Sequence, residues 1–136
     1  MPLSTIGDRR KDLFDKLLEL RAYDATALAA TANGTALAID ATKIIAYEAI
    51  CNIAAYTGYA AGTAEWALKI EVSADDSTYV AVTPDTVIDG TAQELRFALT
   101  GAAVNDVVAD ALYVRVVATK TGTPGDLTFG AYLSPV

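Results

Sequence analysis

Histidine is absent from all 136 residues. With it go the commonest general base, the usual Ser-His-Asp arrangement and most zinc sites. Cys51 is the single cysteine, so no intrachain disulfide can form, and no histidine is present to activate the thiol. It reads as a small buried apolar residue. The nine glycines are dispersed among turns and build no phosphate-cradling loop. Paired carboxylates remain. Asp75 and Asp76 lie together in a tight turn, where adjacent acids are ordinarily solvated. As calcium ligands they would need several further oxygens, and nothing nearby resembles an EF-hand loop. Asp85, Asp89 and Glu94 sit in a second loop of the same character, and Asp106 and Asp110 are too isolated for acid–base work. The chemistry argues against an enzyme and implies no cofactor, no metal and no small-molecule substrate.

Arginines and aromatics suit a different task, because Arg and Tyr are enriched at interface hot spots. Arg96 and Arg115 each fall on the polar phase of a strand-like run. If the last two strands pair, Tyr113, Arg115 and Tyr132 share one outward face. Trp66 is in phase with Leu68, Ile70 and Val72, which marks it as core and not as a sugar platform.

These residues need elements to hold them. The opening, STIGDRRKDLFDKLLELRAYD, has Leu13, Leu17 and Leu20 on one helical face, which predicts an amphipathic helix from about Asp8 to Ala22. Its apolar stripe must dock on its own domain or on a neighbour, so Leu13, Leu17 and Leu20 join the interface candidates. Asn33-Gly34 is the strongest short hairpin signal, with a short strand at about Leu37 to Asp40. Residues 43–57 fit both periods, and their β-branched and aromatic content favours a strand. Beyond them the alternation is clear. Trp66 to Val72 forms a half-buried strand, Ser73 to Thr78 a turn, and Tyr79, Ala81 and Thr83 a return strand. Leu95 to Leu99 ends at Thr100-Gly101, Leu112 to Ala118 makes another strand, and Leu127 to Leu133 follows the turn cluster TGTPGD. The expectation is a mainly β protein, an antiparallel β-sandwich or jelly roll with one N-terminal amphipathic α-helix. It divides into an N-terminal helical arm, residues 1–24, and a β domain, residues 25–136.

Hydrophobic residues make up 53% of the chain, but 27 residues are alanine, so the core is thin for its length. A thin core favours a partner subunit, here a homo-oligomer. Five bases and five acids balance in the first 24 residues; the rest carries twelve acids against five bases. This acidic body disfavours nucleic acid and anionic membrane as partners. No secretory signal and no membrane-spanning run is expected.

The stretches LKIEVSADDSTYVAV, LRFALTG and ALYVRVVATKTGTPGDLTFGAYLSPV, about half the chain, resemble the small jelly-roll cement, or decoration, proteins of tailed bacteriophage capsids. In that pattern a strand ends in a short Ser-acidic turn, and a Tyr-Val-Arg strand leads to a closing Thr-Gly-Thr turn. The charged N-terminal helix is longer here. The resemblance implies a dimer or trimer on the outer surface of a shell, made in the bacterial host cytoplasm. It would bind the major capsid protein and clamp neighbouring capsomers, with no catalytic residues. The arrangement DDSTYVAV to YVRVVATKTG also resembles discoidin-type carbohydrate-binding modules, and a tail or adaptor component of the virion is a third reading.

Overall fold

The computed structural model describes residues 18–38 and 46–135. The elements in chain order are β1 (Glu19–Arg21), β2 (Ala32–Asn33), β3 (Leu37–Ala38), β4 (Ala46–Ile53), β5 (Glu65–Ser73) and β6 (Val80–Ala81). They continue with β7 (Thr86–Ile88), β8 (Gln93–Thr100), α1 (Gly101–Val107), β9 (Tyr113–Thr121) and β10 (Phe129–Pro135). The described chain is mainly β, with antiparallel sheets and one short helix.

The strands form a four-stranded sheet in the order β1-β10-β4-β8, and a six-stranded sheet with β9 and β5 at its centre. Here β2 and β3 lie in line along the outer edge of β9, and β6 and β7 in line along the outer edge of β5. The pairing is nested about the Ser73–Thr78 turn. β5 pairs with β6 and β7, β4 with β8, β2 and β3 with β9, and β1 with β10. Two further ladders, β5 with β9 and β4 with β10, join this doubled ribbon into sheets.

Period-two alternation builds the core. Trp66, Leu68, Ile70 and Val72 of β5 and Val114, Val116 and Ala118 of β9 point inward. So do Ala49, Cys51 and Ile53 of β4, Phe97 and Leu99 of β8, and Phe129, Ala131 and Leu133 of β10. These rows from both sheets form one hydrophobic cluster. Each large side chain buried there is worth about 1.5–3 kcal/mol of transfer free energy. Cys51 sits inside it, and burial pushes its thiol up to about 12, so it stays protonated at neutral pH. At one end Tyr56 ties the layers together: its hydroxyl accepts from the Trp66 amide at 3.1 Å and donates to the Ile88 carbonyl. Trp66 Nε1 donates to the Gly125 carbonyl at 2.9 Å. Gly122, at φ +68°, lies so close to Thr63 that a Cβ there would stand 2.0 Å from its carbonyl oxygen.

The structure corrects several expectations. The C-terminal turn of the expected N-terminal helix is strand β1, with Leu20 buried in the chain's own core. Leu18 packs on the core, Glu19 is exposed and Leu20 is buried, a period of two. Leu13, Leu17 and the rest of that helix lie outside the described residues. Asn33-Gly34 makes no hairpin, because β2 and β3 both pair with β9 and the Gly34 amide bonds the Val116 carbonyl at 2.7 Å. Thr100 does end β8, but its hydroxyl also accepts from the Ala103 amide and caps α1, a helix that the alternation did not reveal. The loop expected around Asp85 to Glu94 contains β7 and the start of β8. The ambiguous segment 43–57 does contain a strand, β4.

Ile70 is fully buried on a central strand. Ile70→Ala is expected to lower unfolding free energy by about 2–5 kcal/mol in urea titration, with an unchanged slope.

Candidate interaction surfaces

The outward residues fall on two opposite faces, and of the predicted interface residues Tyr113 and Arg115 lie on one and Arg96 and Tyr132 on the other, while Leu20 is in the core. On the six-stranded sheet, register places Arg115 of β9 directly opposite Glu71 of β5, and Tyr113 opposite Ser73. Arg115 Nε and Nη2 donate to Glu71 Oε1 at 3.0 and 2.7 Å. Lys69 adds a second cation 3.5 Å from the same carboxylate. The guanidinium lies over the Tyr79 ring, 3.7 Å from its centroid. Only 20% of the Arg115 side chain and 13% of the Glu71 side chain stay exposed, so this is a shielded pair and not a fully solvated one. Removing Arg115 would strand Glu71 beside Lys69 alone, a loss on the order of 1–3 kcal/mol.

The turn between β5 and β6 supports this cluster. Asp75 accepts from the Ser77 and Thr78 amides and from the Ser73 hydroxyl, each at 2.9 Å. Those donors, the Thr78 and Ser77 amides first, hold its carboxyl below the usual carboxylate range. Asp76 takes a left-handed conformation at φ +58° and accepts from the Tyr79 hydroxyl. Burial, and then that bond to Asp76, push the Tyr79 hydroxyl up to about 12. The two acids therefore shape a turn and seat a tyrosine. Among the described residues no group of three His, Cys, Asp or Glu side chains is placed to hold a metal ion.

The four-stranded sheet carries the other face. One outward row runs Glu19, Tyr132, Ile50, Arg96 across β1, β10, β4 and β8. Ile50 is buried between Tyr132 and Arg96 although it points away from the core. Arg96 bonds Glu48 across the ladder and Glu94 along its own strand. Tyr23 lies over Gly130 on this face, where a Cβ would come within 2.9 Å of it. β9 and β10 are in different sheets, so Tyr132 does not share a face with Tyr113 and Arg115 as a pairing of the last two strands would require. Sequence reasoning missed Glu71, Tyr79 and Ile50. Glu71 and Arg115 are 44 residues apart, and only the register brings them together. Trp66 is wholly buried, as its phase indicated.

No family model matches this chain, and no curated protein matches it. Among solved structures it is similar to a chain in the structure of infectious bursal disease virus, Gx strain, at TM-score 0.40 and 14% identity. The likeness covers 85% of this chain and 30% of that one, so this chain spans under a third of the other's length.

Two titrations check the cluster. In ultraviolet absorbance titration the difference between the wild type and Tyr79→Phe should show one phenol ionising near 12, against about 10 for a free tyrosine. Asp75 has a lowered folded pKa, so its stabilisation is present above the ordinary carboxylate value and is lost as pH falls through the lowered one. Asp75→Asn should therefore flatten the acid limb of a plot of urea midpoint against pH.

Proposed function

We infer that this chain is a non-enzymatic structural protein of a virion, a cement or decoration protein on the outer capsid surface. The observation that carries the reading is the strand order. Counting the in-line pairs β2 with β3 and β6 with β7 as one strand each, the described residues form two four-stranded sheets in the orders 1-8-3-6 and 2-7-4-5. This order fits a jelly roll, an architecture used by viral capsid and lectin domains, and so supports the reading. A fold alone does not fix a function, so the surfaces must agree with it. They do. Asp75 and Asp76 shape a turn, and Arg96 and Arg115 are held in sheet-surface pairs. Two faces that present arginine and tyrosine on a rigid sheet suit protein contacts. The lectin alternative loses its one tryptophan to the core.

In this reading the partner is the major capsid protein. The Tyr113–Arg115–Tyr79 face meets the shell, and the homo-oligomer lets weak contacts sum across neighbouring capsomers. A tail or adaptor position in the virion is the neighbouring possibility, separated from it by whether heads or tails bind the chain. Arg115→Glu would oppose two carboxylates on paired strands and disturb the fold, so the cleaner probes are Tyr113→Ser and Arg115→Met. Added to purified shells lacking this chain, the wild type should pellet with them at saturable stoichiometry. Both variants should bind at least about tenfold more weakly, a loss of about 1.4 kcal/mol or more, with folded circular dichroism. Full-strength binding by both would remove this face from the contact, and no binding by the wild type would remove the shell as partner.

A further inference from the structure

We propose that the edge of β8 is a self-recognition site, where a second copy of this chain adds its own β8 antiparallel to make one continuous sheet. β8 pairs with β4 along all eight residues in constant register, without a bulge. Among the described residues its other edge meets no strand. The strand, QELRFALT, contains no proline and turns no charge inward, two of the devices that blunt an edge of this length, and its own two charges are of opposite sign. Its outward residues include Glu94 and Arg96, whose side chains are 44% and 57% exposed. Its inward row includes Leu95, only partly buried against the core.

Symmetry selects the register. Two β8 strands related by a two-fold axis normal to the sheet keep their outer faces on one side, so opposed residues must share a face. Centring the pair on Glu94 sets that carboxylate against its own copy, and centring on Arg96 does the same with the guanidinium. Centring on Phe97 leaves Arg96 opposite Ala98 and draws Thr100, the cap of α1, into the ladder. Centring on Leu95 sets Glu94 of each copy opposite Arg96 of the other, twice. It also sets Leu95 against Leu95, extending the inner apolar row across the axis. Opposite charges facing each other on one sheet face attract, and like charges repel. Centring on Leu95 is thus the register near the middle of the strand that the charges favour. The occupant is a second copy because the strand is complementary to itself. This inference does not depend on the shell reading.

The experiment is sedimentation velocity on the full chain and two charge variants, Glu94→Arg and Arg96→Glu, each with circular dichroism to establish folding. The wild type is expected to dimerise reversibly with concentration. Each variant alone sets like charges opposite each other and should self-associate at least about tenfold more weakly. An equimolar mixture of the two variants sets arginine opposite glutamate at both positions and should recover the dimer. A wild type that stays monomeric overturns the proposal, as do variants that associate like the wild type. Variants that lose association but fail to recover it on mixing overturn the register.

Discussion

The nine-residue ladder between β5 and β9 fixes the rest of the molecule. Its inward row carries Trp66, Leu68, Ile70 and Val72 against Val114, Val116 and Ala118, all essentially without solvent. Its outward row carries Glu71 opposite Arg115. A slip of β9 by one residue would turn Val114 and Val116 to water and Arg115 into the core, so one register satisfies both faces. The contacts are distant in sequence. The strands that flank this ladder, β2 and β3 on one side and β6 and β7 on the other, are short segments that pair only where it offers a free edge.

From that ladder the division of labour follows. Alanine supplies little area, so the few large side chains are placed inward, and Trp66 is spent on the core where Tyr56 and Gly125 satisfy its backbone and indole N–H groups. The outward positions are left with arginine, tyrosine and acids held in place by one another. Charged and patterned surfaces of this kind suit recognition of another folded surface, and under the proposed reading one face would meet a shell while a sheet edge would meet a second copy.

Much of this was legible in the sequence where one face of a strand is buried and the other wet. EWALKIEVS and LYVRVVATK declare their phase because large apolar and charged residues alternate, and that alternation places Arg115 outward. The register between such strands was not legible, so Glu71 and Tyr79 were not joined to Arg115. Alanine erased the phase around residues 25–38, and Asn33-Gly34 was read by local turn preference although β9 offers those residues a better ladder. Leu17 and Leu20 fit a helical face, yet Leu18 and Leu20 also fit a strand, and pairing with β10 decided it in favour of β1 for Glu19–Arg21. The final two strands look like a hairpin because they are neighbours in sequence; the nested order sends β10 to the other sheet, between β1 and β4.

The most direct measurement is to fractionate the material in which the chain is made on a density gradient and to locate it by mass spectrometry. The structural reading predicts that it runs with intact capsids at a fixed ratio to the major shell protein. A chain that remains at the top of the gradient as a free small protein contradicts it.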